Sequence, residues 1–563
     1  MKGLEKMMRD ILTGVVIRAM TIKGHLDVRD MHRNAKKAGR VNEKLLFKIL
    51  RRNKDCMYGR RYGFSDIRTV EEYRSRVPIT TYSDYKDLID KMVKDDEKGL
   101  ITSLPLVGYG QSSGSVGTRK FIPITKDVLR IFTKYTVTRM MGIADDYMKK
   151  NGLGRLYPGR GMFTLPGFDD VLPNGLPCNN IVDASARRIG FLYPVILSVP
   201  FRKRLTGAEA NFRYVNLRFA LEDKNSMYIF SAFVKSYTDM IMYLQKHWET
   251  LVEDIENGTV SDLSGATPEA RARILAATRP NPARAAELRA EFEKGFDETI
   301  AKRLWPHLCV ISGIGTSTYA PFAELARKYS KDILFDFSIY GATEGLFAAC
   351  DRIGDGRQLM LPDSCYYEFI PVDDESRIFS ITELEVGRDY EIVITNQAGL
   401  YRYKCGDVIT VVDHLYECPY IQFAYRKGQL INVLGEKTTE AHINALVERL
   451  SEQTGLSIMH WAAYVDYNSD PCSYVLLIEN GKGEDMSVCS ADADKLLDEI
   501  NPRFAFYKAL EEIGSLRIRN QRPGTHAEWA KQQISKGVSP EQVKPVRILD
   551  SDEKREFFLS RAD

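Results

Sequence analysis

The chain has 563 residues, 44% of them hydrophobic and 28% charged, and a formal net charge of +3. That length is too great for one small core and predicts two to four structural units at roughly 100–200 residues per domain, within the composition of an ordinary soluble globular protein. The near-neutral balance, with Lys and Arg read as evenly spread, argues against a nucleic-acid partner, which calls for a concentrated basic stripe.

The opening stretch, "MKGLEKMMRDILTGVVIRAM", has no apolar run longer than Val15-Val16-Ile17. This excludes a spanning helix and a secretory signal there. Met7, Met8, Ile11, Leu12, Val15 and Val16 recur at helical spacing and predict an amphipathic helix. Its stripe could pack on the body of the protein or touch a membrane surface; packing is expected, because such stripes usually face a core. Further along, "YGQSSGSVGTRKFIPIT" (Tyr109–Thr125) sets three glycines between apolar runs, and Val128, Ile131, Phe132 and Tyr135 then predict a helix over Lys126–Met141. Ser261–Glu293 reads as two Ala/Arg/Glu-rich helices broken at Pro280 and Pro282, a solvent-facing excursion whose arginines form an ordinary charged face.

Strands are predicted next, at Leu308–Gly315, Ile333–Gly345, Tyr366–Val372, Asp389–Asp413 and Tyr420–Lys437, with "NQAG" as a hairpin turn. Strands interleaved with helices give an α/β body. Past Lys437, Ile443, Leu446, Val447 and Leu450 define a helix with a Thr at its start and Gly455 at its end. Strand-like "HWAAYVDY" and "SYVLLIEN" and helical "ADADKLLDEI" follow. The boundary is placed near Arg426, giving a large domain over 1–425 and a small α+β domain over 426–563. The nine cysteines are scattered without a C-x-x-C pair and only eight histidines are present, so they read as reduced, half-buried residues of a cytoplasmic protein and not as a zinc site.

The glycine-rich loop fails two phosphate-binding templates. Counted from Gly114, the Walker A position that needs Gly is Arg119, and Phe121 stands where Ser or Thr is required. The dinucleotide fingerprint fails because the Gly after Gly108 and Gly110 comes one residue late. The ingredients of a phosphate cradle are nonetheless there: Gly114 and Gly117 for inward-turned N–H groups, Ser112, Ser113, Ser115 and Thr118 for hydroxyls, Arg119 and Lys120 for charge. Taken alone, such a stretch is more often just a plain loop. Two later stretches extend the pattern. "YGATEG" (Tyr340–Gly345) offers a ring for an adenine face, Thr343 for a phosphate oxygen and Glu344 for a magnesium ion. "YRYKCGDVI" (Tyr401–Ile409) sets Asp407 after a Gly at a strand turn, where it could accept ribose hydroxyls or simply cap the strand.

These three stretches resemble, in order, the three nucleotide motifs of the adenylate-forming enzymes, and within them of the GH3 acyl-acid amido synthetases, with this chain a non-plant-like member. "WPHLCVISGIGTSTYAPF", "FAYRKGQLINVLGEKTTE" and "GVSPEQVKPVR" are similar to that family's nucleotide-site strand, its crossover into the small domain and its lysine-bearing C-terminal signature. Ser115-Val116 and Gln429 depart from the usual pattern at a phosphate donor and at the hinge. The resemblance implies an α/β fold: a large adenylate-forming domain of β-sheets and a β-barrel-like subdomain flanked by helices, and a smaller mobile α+β domain. It implies ATP and Mg²⁺ as cofactors, a small carboxylic acid and an amino acid as substrates, and no nucleic-acid partner.

It also implies residue roles. Ser112, Ser113, Gly114, Ser115, Gly117 and Lys120 would hold phosphates. Gly315, Tyr340, Gly341, Thr343, Asp407 and Arg426 would contact the nucleotide, with Glu344 on magnesium. Lys544 would serve adenylation and Lys437 a second, rotated state, while Arg130, Thr133 and Tyr135 would line the acyl pocket. A coenzyme A ligase shares the same nucleotide motifs, and a non-catalytic nucleotide-binding homologue is the remaining alternative.

Overall fold

The structure is a computed structural model that describes residues 2–563 except 114–118, 165–166, 168–169, 180, 202–204, 207–209, 316–319, 337–338, 355, 428–429, 432, 434–435, 437, 470, 482, 510, 512, 537, 539 and 541–542. The chain divides into two compact units. The first holds Met1–Ser112, Lys120–Cys405 and Thr410–Gln422, and the second holds Gly406–Ile409 and Phe423–Asp563 together with Ser113 and Arg119.

The first unit begins with the helix Lys2–Ala35, which buries Thr13, Ile17, Gly24, Val28 and Met31. It crosses the helix Arg139–Lys150 backbone to backbone. A Cβ on Gly24 would lie 2.1 Å from the Thr138 carbonyl oxygen, and one on Gly142 would lie 2.5 Å from the Gly24 carbonyl carbon. Polar ties flank the crossing: Thr138 donates to Asp27 at 2.6 Å, His25 Nε2 meets Asp145 at 2.9 Å and His32 Nε2 meets Asp351 at 2.7 Å. Burial opposes ionisation of Asp351, but its bonds to His32 and Tyr420 prevail and bring its pKa down to about 2.

The crossing makes a paired prediction. Gly142→Ala is expected to cost about 1–3 kcal/mol or more through overpacking. Gly14→Ala on the same first helix meets nothing within 4 Å and is expected to raise stability by about 0.5–1 kcal/mol. Urea denaturation of both variants checks the contrast. The buried face is not the one expected from sequence: Met7, Met8, Ile11, Leu12 and Val15 are exposed, because the close approach at Gly24 turns the other apolar face inward.

Four parallel strands, Gly161–Phe163, Tyr228–Phe233, Val310–Ile314 and Leu334–Asp336, pair in that order with Tyr228 opposite Val310 and Val310 opposite Leu334. Parallel neighbours need long crossovers, and Val234–Asn257 supplies a helix between the second and third strands. Around it packs a core that includes Tyr237, Leu244, Leu251 and Trp305. The helices Pro268–Ala277 and Pro282–Phe292 each have Pro in the first turn after a capping Thr267 or Asn281. They join the same core through Ile274, Leu288 and Phe292. The expectation of an ordinary charged face fails at Arg284, which is buried and donates to the Leu221 carbonyl at 2.9 Å and the Leu304 carbonyl at 2.6 Å.

A seven-stranded sheet runs in the order Tyr366–Pro371, Asp389–Thr395, Tyr403–Leu415, Cys418–Arg426, Gln358–Met360, Gly345–Ala349 and Ile339–Ala342. The stretch Ile333–Gly345, read from sequence as one strand, is divided between sheets: Leu334–Asp336 ends the parallel sheet, and Ile339–Ala342 opens this one. The "NQAG" turn is present, with the Asn396 side chain accepting from Ala398 N–H at 2.9 Å and Leu400 N–H at 3.1 Å.

In the second unit the strands Ile458–Asp466, Ser473–Asn480 and Gly514–Asn520 form a sheet whose first pair is antiparallel and second parallel. The helix Glu440–Thr454 starts at Thr439, whose hydroxyl accepts from His442 N–H, and stops at left-handed Gly455 with φ 68°. Ile443, Leu446 and Leu450 on this helix pack with Trp461, Leu476 and Ile478 on the sheet.

Candidate active site

The turn Thr343-Glu344 is the two-residue loop of the hairpin between Ile339–Ala342 and Gly345–Ala349. Glu344 is buried, with the Tyr403 hydroxyl donating to its carboxylate at 3.3 Å and the Asn396 amide donating to its backbone carbonyl at 2.9 Å. Thus "YGATEG" and "YRYKCGD" come together in the first unit, through Tyr403.

The strand Leu106–Ser113 also reaches this turn. A Cβ on Gly110 would fall 2.2 Å from Thr343 Cγ2, so the strand passes this close only with Gly there. On the next strand, Arg119–Thr125, Lys120 Nζ lies 5.3 Å from the Tyr82 ring centroid and Phe121 N–H donates to the Tyr82 hydroxyl at 2.9 Å. Burial raises the Tyr82 pKa, and the Glu344 charge adds to that rise. Burial likewise pushes the Cys365 thiol up to about 12, again with the Glu344 charge contributing. Lys120, Tyr82, Glu344 and Tyr403 therefore share one electrostatic neighbourhood within the first unit.

Tyr340 is buried and packs edge-on to Phe347 at 5.3 Å, with Gly341 beside it at a register shift in the hairpin. Gly315 follows the parallel strand Val310–Ile314 at its carboxyl end, the edge where open α/β sheets bind ligands. Gly114, Ser115 and Gly117 of the expected cradle, Lys437 and the hinge residue Gln429 lie outside the described residues. Ser112 and Ser113 end the strand Leu106–Ser113.

The expected acyl-pocket helix is longer than its sequence limits: Lys126–Thr133 continues through a π-helical turn, Lys134–Thr138, into Arg139–Lys150. Arg130 is more than half exposed and pairs with Asp127 at 3.4 Å, and the Thr133 hydroxyl donates to the Leu129 carbonyl at 2.8 Å. Tyr135 is fully buried, donates to Asp363 at 2.9 Å and has its pKa raised well above the ordinary value by burial and by that carboxylate.

In the second unit, Asp407 is buried and its Oδ1 lies 3.6 Å from Arg426 Nε. It is not at a strand turn, as the sequence suggested, but inside the strand Tyr403–Leu415, where Gly406 adopts φ +80° and its carbonyl accepts from Lys427 N–H at 2.6 Å. Lys544 is exposed. Its segment is anchored three residues on by Arg547, whose guanidinium stacks 4.6 Å from the Trp461 ring centroid and donates to the Trp461 carbonyl at 3.0 Å. Ala463 N–H donates to the Arg547 carbonyl at 2.7 Å, and Leu549 N–H to the Ala463 carbonyl at 3.0 Å. Burial lowers the Arg547 pKa to about 10.

Tyr82 lay outside every quoted motif, and Asn396 and Arg547 lay inside "NQAG" and "GVSPEQVKPVR" without being given a role. Asn396 had a turn signal in "NQAG", but Tyr82 and Arg547 act through contacts remote in sequence, which no local pattern announces. Among the described residues no three His, Cys, Asp or Glu side chains cluster as a metal site. Magnesium in phosphate chemistry commonly takes one or two protein carboxylates and fills the rest with phosphate and water, a role that a single buried Glu344 fits.

Fold and site together define a class. A solved structure described as AtGH3.15 acyl acid amido synthetase in complex with 2,4-DB matches this chain with a TM-score of 0.80 at 25% identity, covering 95% of each chain. Profiles of the GH3 family N-terminal, central and C-terminal domains match residues 27–335, 358–426 and 441–553 in turn, so the chain belongs to the GH3 family. Among curated relatives, a probable indole-3-acetic acid-amido synthetase GH3.2 of Oryza sativa subsp. japonica is 28% identical over 92% of this chain and 90% of its own. A jasmonoyl-L-amino acid synthetase GH3.5 of the same rice is 27% identical over 93% and 94%.

Proposed function

We propose that this protein is an ATP-dependent acyl-acid amido synthetase. A substrate carboxylate oxygen attacks the α-phosphorus of ATP, the bond to the bridging oxygen of pyrophosphate breaks, and an acyl-adenylate forms. An amino-acid nitrogen then attacks the acyl carbon, AMP leaves with its phosphate oxygen, and the amine gives up a proton as the amide forms. The observation that carries this reading is the meeting of the three motif strands around Glu344: Gly110 against Thr343, Lys120 on Tyr82, and Tyr403 bonded to the carboxylate.

In this reading Glu344 holds Mg²⁺, which neutralises triphosphate charge. Lys120 and the preceding loop steady the departing phosphates, the Tyr340 ring covers the base, and Asp407 accepts the ribose hydroxyls. Lys544, on the segment anchored by Arg547, serves adenylation, and Lys437 serves the amide step after the small domain turns. The domains 1–425 and 426–563 are the bodies that move, and Arg130, Thr133 and Tyr135 are the candidates on the helix that lines the acyl pocket. A reducing, cytoplasmic setting is part of the proposal, supported by nine free cysteines. Among the described residues no helix is long and apolar enough to cross a membrane.

Acid-dependent exchange of pyrophosphate into ATP, run across a panel of carboxylic acids, tests adenylation. Exchange with at least one acid is expected; none with any acid, despite measurable ATP binding, overturns the reading. Product analysis with amino acids and with coenzyme A then separates amide from thioester formation, and an amide is expected.

A further inference from the structure

The first helix leaves one of its two apolar faces uncovered. Met8, Ile11, Leu12, Val15, Ile22 and Leu26 are 48–62% exposed. At 3.6 residues per turn they fall on one side of the helix, opposite the buried Thr13, Ile17, Gly24 and Met31. Arg18 and Lys23 flank this side, and Arg29 and Arg33 continue it toward Ala35; all four are exposed. Lys23 and Arg33 also pair along the helix with Asp27 and Asp30.

The charge around this helix is not typical of the chain. Residues 1–54 carry 15 Lys and Arg against 5 Asp and Glu, a net of +10 within a total of +3, so the other residues sum to −7; the helix itself holds 7 against 4, a net of +3, and residues 36–54 hold the remaining +7. Lys and Arg are therefore concentrated in the first 54 residues, which corrects the reading of an even spread.

We propose that this face docks the protein on an anionic lipid bilayer, with the first helix lying in the plane of the interface. The apolar side chains would enter the acyl boundary while the flanking Arg and Lys reach lipid phosphates, the arrangement of a basic interfacial helix. From Met8 to Leu26 the strip is about 27 Å long. One helix wide, it offers on the order of 300 Å², well short of the ≈ 800 Å² per partner of a stable protein interface. A second copy would also set two helices of net charge +3 against each other. A bilayer needs no complementary groove, and the anionic cytoplasmic leaflet attracts basic segments beside its surface. A nucleic acid would use the charge and leave the apolar strip in water.

Co-sedimentation of the full chain with vesicles of phosphatidylcholine alone, or mixed with phosphatidylserine, tests this, with sedimentation velocity run in parallel. Binding to the mixed vesicles, little to phosphatidylcholine alone, and weakening with added salt are expected. The variants I11E/V15E and R18E/R29E change only exposed positions; each is expected to keep the wild-type circular dichroism and to lose about tenfold or more in vesicle affinity. Absence of binding to the mixed vesicles overturns the proposal, as does wild-type binding by I11E/V15E. Conversion of a dimer to a monomer by I11E/V15E, without vesicle binding by the parent, would assign the face to a second copy.

Discussion

Glu344→Ala is expected to abolish acid-dependent pyrophosphate exchange, with a loss of about 10²–10³-fold or more, while the protein keeps its fold. Removing one preorganised electrostatic group from a site where charge develops costs that much in other enzymes, and here the carboxylate would also be the protein's ligand for Mg²⁺. The side chain sits in a two-residue turn, and the bond from Asn396 goes to its backbone carbonyl. The substitution therefore leaves the hairpin's main-chain bonds in place. Exchange rate and a urea melt, measured on the same preparation, check the two halves of the prediction. Unchanged exchange would remove Glu344 from the phosphate chemistry. Tyr403→Phe, which deletes the hydroxyl that bonds the carboxylate, is expected to act in the same direction more weakly.

Arg139→Met is expected to be among the most destabilising single changes in the first unit, at about 3–5 kcal/mol. Arg139 is fully buried; it donates to the Tyr135 carbonyl at 2.6 Å, the Cys350 carbonyl at 2.8 Å and the Asp336 carboxylate at 2.9 Å. Burial is the largest single influence and would lower its pKa, but the Asp336 charge, Cys350 and the hydrogen bonds to both together outweigh it and leave it raised. Methionine fills much of the volume, so the cost comes from the buried Asp336 charge left without its cation, together with the two carbonyls. Arg139→Met/Asp336→Asn removes that charge and is expected to recover part of the loss. Urea denaturation of the two variants decides the matter: equal destabilisation would assign the effect to packing. The contact also joins the π-helical turn to the last parallel strand, so loosening it is expected to disturb the expected acyl-pocket helix.

Much of the site was legible before folding was considered. "YGATEG" and "YRYKCGD" announce turn and strand chemistry through Gly spacing and polar residues at strand ends, and Glu344 and Tyr403 do meet. Arg547 closes the C-terminal signature, but its role was hidden because anchoring of the Lys544 segment depends on a contact with Trp461. Tyr82 was hidden for the same reason: one aromatic residue after a helix-capping Thr81 says nothing about Lys120 or Glu344. The stretch Ile333–Gly345 misled because an apolar run gives the strand type without saying that the chain changes sheets within it.

By itself the sequence determined the local elements: the helix from Thr439 to Gly455, the "NQAG" turn, the proline-started helices and the order of the three motifs. These depend on spacing and backbone preference over a few residues. Tertiary structure alone decided which apolar face of the first helix was buried. Periodicity identified an apolar face, but only Gly24 and Gly142 allow the two backbones to touch, and that contact leaves Met8–Leu26 facing outward among its arginines.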